Sequence, residues 1–269
     1  MSEGGVPMFA ERPGVALFLN AGDPSFEAVR RLVLLLDEHG VDCLELAVPF
    51  PNVVTDGPVI RRSARRAIAA GADLDSTLAF VESVRAEVAH MRIVLMADWR
   101  HTVRELWMDR FLARVRDAGS DGLLLHGVPP RARPDYYEAA RAAGLPIVTT
   151  CFVTSSGAAM EEAASNASAY LYLVSHFGRG EGASRPEPGR LAPAIGTLRR
   201  LTNAPIAVGF GVRSAADVRA VWGAGADAAI VGSACVARLE RELLAGRDPV
   251  AGMGRFLDEL GRPIESRVA

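Results

Sequence analysis

The chain has 269 residues, 49% of them hydrophobic, and a formal net charge of only −2. This length is common for a single α/β barrel and allows a large buried core. Acidic and basic residues are interspersed, so neither nucleic acid nor a membrane surface is indicated as a partner. The first 14 residues lack the apolar core of a secretory signal, and no apolar run approaches the roughly 18 residues of a membrane span.

Two features of the composition bear on compartment and chemistry. The cysteines Cys43, Cys151 and Cys235 are scattered in apolar segments, so we interpret them as small buried hydrophobes in a reducing cytoplasm. The chain has no lysine, and all 30 of its basic residues are arginine. Because a lysine amine is the usual group that forms a Schiff base with a substrate or with pyridoxal phosphate, catalysis through a lysine Schiff base is excluded for this chain. We expect neither a cofactor nor a metal.

Eight short apolar runs alternate with longer amphipathic stretches along the chain. Near-continuous apolar strands are typical of a parallel sheet covered on both faces. The predicted strands span residues 15–20, 42–48, 92–97, 122–126, 146–152, 169–175, 205–210 and 227–232. The fifth of these is the most polar.

The amphipathic stretches predict helices, several of which end at a glycine. They span residues 26–39, 74–88, 103–118, 135–143, 158–167, 191–201 and 215–223. Eight strand–helix units in about 230 residues favour a closed barrel over a doubly wound sheet. We predict a (β/α)8 TIM barrel forming one domain over residues 1–269, with an N-terminal extension at 1–13 and a C-terminal helix at about 250–260.

The connection after the second strand is unusually long and carries two candidate catalytic carboxylates. It holds three prolines in residues 49–58 and an extra helical stretch at 59–70, at the strand end where barrels place their active sites. Strand alternation points Glu45 into the barrel, where burial raises a carboxyl pKa and suits general acid/base catalysis. The alternative for Glu45 is a core ion pair with an arginine. The alternative for Asp56 is a turn or helix-capping role.

Glycines come after the seventh and eighth strands at Gly211 and Gly232, and Ser233 then begins another helix. Such glycines let backbone N–H groups approach an anion, and a helix N-terminus adds positive potential. Barrels commonly bind phosphate at these two loops. The pattern favours a small phosphomonoester site, with simple tight turns as the alternative.

The segment LELAVPFPNVVTDGPVIRRSARRAIAAG (44–71) resembles the signature of the tryptophan synthase alpha-subunit family, LELGxPFSDPxADGPxIQxAxxRALxxG. The step from Glu45 to Asp56 agrees with that signature. FLNAGDPS (18–25), VGFGV (208–212) and IVGSACV (230–236) resemble further motifs of the family. The resemblance runs in the right order over about residues 14–240.

The resemblance implies a lyase that cleaves indole-3-glycerol phosphate by a retro-aldol step into indole and glyceraldehyde 3-phosphate. It implies that Glu45 protonates the indole ring at C3 and that Asp56 holds the indole N–H. Phe18 and Tyr172 would line the indole pocket. The implied phosphate ligands are Gly211, Gly232 and Ser233.

The chain departs from the family pattern in four loops that face the beta subunit or close the site. The replaced segments are Asn52-Val53, Asp98-Trp99-Arg100-His101, His126-Gly127 and the loop 175–182, which lacks the family's threonine. Asp98 and His126 bring polar groups to a pocket that is usually apolar, so Asp98 joins the predicted pocket residues. A contact between them is interpreted as a salt link at the barrel mouth, and a metal site including Glu45 is not favoured.

These departures leave three functional hypotheses. One is a free-standing lyase that releases indole, or a substituted indole, without a beta subunit. Another keeps the acid/base chemistry and acts on a different phosphorylated substrate. The third is a weakly active protein that regulates a beta-type subunit. Retention of Glu45 and Asp56 and loss of the partner-facing residues both argue against the third.

Overall fold

The structure is a computed structural model that describes residues 8–9, 13–51, 57–175, 188–209 and 211–261. Its eight strands form one parallel sheet in the order β4-β3-β2-β1-β8-β7-β6-β5. The strands are β1 (Gly14–Asn20), β2 (Cys43–Ala47), β3 (Arg92–Asp98), β4 (Gly122–His126), β5 (Val148–Phe152), β6 (Tyr170–Val174), β7 (Ile206–Gly209) and β8 (Ala228–Val231). Each lies within a predicted strand or within one residue of it, and the predicted (β/α)8 barrel is confirmed.

Helices alternate with the strands and cover the outside of the sheet. They are α1 (Phe26–Glu38), α2 (Pro58–Ala69), α3 (Leu74–Arg85), α4 (Met108–Asp117), α5 (Arg133–Ala143), α6 (Gly157–Asn166), α7 (Pro188–Arg199), α8 (Ala215–Gly223), α9 (Ser233–Leu244) and α10 (Pro249–Leu260). No helix in these described ranges is long and apolar enough to cross a membrane.

The helix predicted over 103–118 is wrong in its first part. The chain leaves β3 through a π-helical turn, Trp99–Val103, and α4 starts only at Met108. The Asp98 side chain caps that turn by accepting a hydrogen bond from the backbone N–H of His101 at 2.8 Å. This local cap stabilises a turn that apolar periodicity does not reveal.

The barrel closes between β4 and β5 by a narrow seam. A single parallel bridge joins Leu123 to Ile147, and the Leu123 N–H donates to the carbonyl of Pro146 at 2.9 Å. Every other neighbouring strand pair shares a ladder of two or more residue pairs. The two strands at the seam are therefore held together less firmly than the rest of the barrel.

Strand alternation divides the apolar side chains into two cores. Outward residues such as Leu44, Leu46 and Leu173 pack against the helices. A second cluster fills the barrel itself and includes Val94 and Tyr170. Its members are Met8, Phe9, Ala16, Cys43, Val94, Leu124, Val148, Ala169, Tyr170, Ala207, Ala228 and Ile230. Met8 and Phe9 belong to the N-terminal segment and are nonetheless buried in this interior core.

Aspartates placed just before three strands fix the register at the opposite end of the barrel from the predicted site. Asp42, Asp121 and Asp227 accept hydrogen bonds from backbone N–H groups of the strands alongside them. The donors are Val15 at 2.8 Å, Ile93 at 2.8 Å and Ile206 at 2.7 Å. A buried backbone donor needs a partner, so these carboxylates stabilise the strand ends where the ladder begins.

Candidate active site

Glu45 lies on the inward face of β2, beside Phe18 of β1 and Val94 of β3. Its side chain is only 1% exposed, so it sits in the barrel interior as the strand pattern predicted. The Tyr170 hydroxyl on β6 donates a hydrogen bond to Glu45 Oε1 at 2.5 Å. No arginine pairs with Glu45 among the described residues, so the core ion pair considered as an alternative is absent from that part of the chain.

Burial determines the protonation of this carboxyl group. Removal from water raises the pKa of Glu45 to about 7, although the hydrogen bond from Tyr170 acts to lower it. Burial also raises the pKa of Tyr170 well above its usual value, so its phenol stays neutral and remains a donor. Glu45 therefore exchanges a proton close to neutral pH, which suits a general acid/base.

Tyr170 is a candidate site residue that the sequence did not reveal. The family resemblance points instead to Tyr172, its neighbour on the same strand face, as a residue of the indole pocket. The available signal was simple: two tyrosines separated by one residue on a buried strand point to the same side. The link to Glu45 joins residues that are 125 positions apart, and no local pattern reveals such a pair.

The two predicted aromatic residues of the indole pocket both lie on the inward face of the barrel. Phe18 is paired in register with Glu45 and is 8% exposed. Tyr172 is half-buried and lies beside Thr150 of β5 and Ala207 of β7. Their role in binding an indole ring stays a prediction.

Gly209, at the end of β7, makes room for the Tyr172 ring. A Cβ at this position would overlap the phenol oxygen and two ring carbons of Tyr172. We expect Gly209→Ala to lower the free energy of unfolding by about 1 kcal/mol through overpacking, measured by denaturant titration. In a Tyr172→Ala background the same change is expected to cost almost nothing, because the two residues are coupled.

Gly196 provides the matched control for that experiment. It lies inside α7, and a Cβ there meets no atom within 4 Å. Gly196→Ala is expected to stabilise the chain slightly through helix propensity. Equal costs of Gly209→Ala with and without the tyrosine ring would contradict the proposed steric conflict.

Asp98 ends β3 and is 7% exposed, but its carboxylate already has protein partners. Oδ1 accepts from the backbone N–H of His101 and lies 2.7 Å from Nδ1 of the same residue. The His101 ring stacks on Phe50, with centroids 5.0 Å apart and planes 18° apart. The imidazole partner of Asp98 is thus His101 rather than the His126 considered from the sequence, and substrate contact by Asp98 stays a prediction.

The predicted phosphate residues lie at the ends of two adjacent strands, β7 and β8. Gly211 has a φ of 85°, which a side chain rarely tolerates, so glycine is required there. Gly232 is the N-cap of α9, which starts at Ser233 and has no side chain capping its first turn. A helix start without a side-chain cap leaves N–H groups free for an anion, as the proposed phosphate site needs.

Asp56, the second predicted catalytic residue, lies outside the described residues, as do Asn52 and Val53 and the altered loop residues 176–182. The helix that comes after Asp56, α2, is firmly held by polar contacts. Its residue Ser63 accepts a hydrogen bond from Asn20 at 2.9 Å and donates one to Asp23.

Arginines on α2 extend this network toward α9. Arg66 forms ion pairs with Asp23 at 2.8 Å and with Glu240 at 2.7 Å, and Arg62 also pairs with Glu240. These bonds fix α2 against β1 and α9. Sequence patterns do not reveal this network, because its members come from three separate segments.

Within the described part of the chain, no group of three or more His, Cys, Asp or Glu side chains could hold a metal ion. Cys43, Cys151 and Cys235 are free and buried, as expected. Burial raises the pKa of the Cys151 thiol to about 12, so this thiol stays protonated and unreactive near neutral pH.

Eight parallel strands wrapped by helices, with the buried carboxyl of Glu45 in the interior, are typical of enzymes of the α/β-barrel class. Within that class, the family model described as tryptophan synthase alpha chain matches residues 9–258. The chain belongs to this family.

Individual relatives and solved structures agree with the family match. The chain is 36% identical to the tryptophan synthase alpha chain of Burkholderia pseudomallei (strain 1106a), over 94% of this chain and 92% of that one. It is 34% identical to the Synechococcus elongatus alpha chain over 85% of each. The crystal structure of subunit alpha from Legionella pneumophila superposes with a TM-score of 0.83 at 26% identity, covering 94% of this chain and 93% of the other. A mutant alpha-subunit from Pyrococcus furiosus gives 0.82 at 26% identity, covering 93% and 98%.

Proposed function

We propose that this chain is a carbon–carbon lyase that cleaves indole-3-glycerol phosphate into indole and glyceraldehyde 3-phosphate. The observation that carries the proposal is Glu45, an acid whose pKa is raised to about 7 inside a barrel of this family. Such an acid both gives up and accepts a proton near neutral pH. Relatives that are tryptophan synthase alpha chains support the same class of reaction.

The proposed reaction needs one proton to arrive and another to leave. Glu45 in its acid form protonates the indole ring at C3, and the positive charge that develops on the ring nitrogen is balanced by Asp56. The hydroxyl on the adjacent glycerol carbon then loses its proton to the Glu45 carboxylate. The carbon–carbon bond breaks, its electron pair returns to the ring, and the glycerol fragment leaves as the aldehyde. Glu45 ends the cycle protonated, and no cofactor is consumed.

The remaining site residues orient the substrate. The glycine turn at Gly211 and the start of α9 at Gly232 and Ser233 supply backbone N–H groups for the phosphate. Phe18 and Tyr172 pack against the indole ring. Tyr170 is a positioning residue, because its hydrogen bond holds the Glu45 carboxyl in one orientation.

We further propose that this chain works without a beta subunit. In the family, the loops after the second and third strands face that subunit. Here the start of the loop after β2 is braced from within, because Phe50 stacks on His101 and Asp98 holds the His101 ring. This internal contact supplies support that a partner would otherwise give.

The test is a direct assay of the purified chain. Incubated alone with indole-3-glycerol phosphate, it is expected to release indole at a rate that added beta subunit does not increase. Indole is measured by chromatography. If the chain alone releases no indole but cleaves the substrate rapidly once a beta subunit is added, the proposed lyase activity stands. The proposal that the chain works without a beta subunit is then wrong.

A further inference from the structure

A polar patch lies on the inner wall of the barrel at β4. Leu123 and Leu125 face the outer helices and Leu124 faces the interior, so alternation turns His126 inward at the end of the strand. His126 is exposed, whereas the four residues before it in β4 are buried. Its side chain is therefore accessible at the C-terminal end of β4.

A second polar residue sits on the inner face of β5. Thr149 faces outward, because its hydroxyl donates to the Ala163 carbonyl of α6 at 2.7 Å, and Cys151 also packs in the outer core. Thr150 between them must face inward, and it is exposed although its strand neighbours are buried. The Thr150 side chain is therefore accessible on the inner face of β5.

The register of the seam bridge, continued toward the C-terminal ends of β4 and β5, brings His126 and Thr150 opposite each other. The bridge pairs Leu123 with Ile147, and three residues further along each strand are His126 and Thr150. Neither side chain has a hydrogen-bond partner within the described ranges. Each can both donate and accept a hydrogen bond. Together they form a pair of polar groups that no side chain in the described ranges engages.

The strand order places this pair across the barrel from the proposed phosphate site. β4 is four strands from β8, with β2 and its Glu45 midway on one side and β6 with Tyr170 and Tyr172 midway on the other. A substrate held by its phosphate at β8 and protonated by Glu45 on β2 has room to extend its ring toward the opposite strands, β4 and β5. The six-membered part of the indole then meets His126 and Thr150.

We propose that the preferred substrate is an indole-3-glycerol phosphate with a hydroxyl group on the six-membered ring, bound by His126 and Thr150. This inference rests on the lyase function proposed above. A ring hydroxyl donates one hydrogen bond and accepts others, which matches the two polar groups of the wall. An unsubstituted ring offers no hydrogen-bonding group to His126 and Thr150. These two residues therefore favour the hydroxylated substrate over the unsubstituted one.

The experiment uses the reverse condensation, in which glyceraldehyde 3-phosphate is joined to indole or to each indole hydroxylated on the six-membered ring. At least one hydroxyindole is expected to give a kcat/KM about tenfold above that of indole, the size of effect that one or two neutral hydrogen bonds produce. Thr150→Val and His126→Ala are each expected to reduce that preference several-fold, and together to abolish it.

Thr149→Val is the matched control, because it removes a hydroxyl from the outward face of the same strand. It is expected to lower stability and to keep the hydroxyindole preference. Equal kcat/KM values for indole and every hydroxyindole would overturn this inference while the lyase function stands. Failure to condense any indole, together with failure to cleave indole-3-glycerol phosphate, would overturn both.

Discussion

Replacing Glu45 by glutamine is expected to lower kcat for indole-3-glycerol phosphate cleavage at least about 100-fold, the usual scale of general acid/base catalysis. Glutamine keeps the size of the side chain and still accepts the hydrogen bond from Tyr170. It has no proton to give to the indole ring. Because ground-state binding depends on other residues, KM is expected to change little by comparison.

Cys43→Ala provides the control for that measurement. Cys43 is two residues earlier on the same inward face and is fully buried, so its replacement perturbs the barrel interior while leaving the acid in place. Turnover by Cys43→Ala is expected to stay within a few-fold of wild type. An active Glu45→Gln enzyme would exclude Glu45 as the proton donor.

The stability of the fold is expected to fall between about pH 4.5 and pH 7 because of the same carboxyl group. The Glu45 pKa rises from 4.5 to about 7 on folding, so the folded chain binds this proton more tightly than the unfolded chain does. A pKa that is higher in the folded state stabilises the fold fully at pH values below the pKa of the unfolded state. This stabilisation is lost as the pH rises through the pKa of the folded state. By pH 8 the free energy of unfolding is expected to fall by about 3 kcal/mol through this group.

Glu45→Gln isolates this effect, since glutamine does not titrate and the other groups titrate in both proteins. The difference in unfolding free energy between wild type and variant is followed by urea titration at pH 4, 6 and 8. Relative to wild type, the variant is expected to gain stability as the pH rises, by about 3 kcal/mol in total. Parallel pH curves for the two proteins would show that the carboxyl is not buried as described.

Much of the fold was predictable because the relevant signals are local. Eight apolar runs separated by amphipathic stretches identified the strands, including β5 despite its threonines. The alternation of side chains within β2 was sufficient to predict that Glu45 points into the barrel. The helix start at Ser233 was indicated by the glycine that precedes it.

The parts that were not predictable depend on contacts between distant segments. The bond from Tyr170 to Glu45 exists only once β6 and β2 face each other across the barrel. The ion pairs of Arg66 join α2 to the loop after β1 and to α9. The π-helical turn after β3 depends on where the Asp98 side chain points, which strand periodicity leaves open.

The single bridge between β4 and β5 has a consequence for how this barrel tolerates change. Every other neighbouring strand pair shares at least two residue pairs, whereas β4 and β5 share only the bridge between Leu123 and Ile147. A bulkier ring pressing outward on this wall can be accommodated by a small parting of two strands. Substitutions at positions 126 and 150 can then change which aromatic substrate the enzyme prefers, while Glu45 on β2 keeps its position.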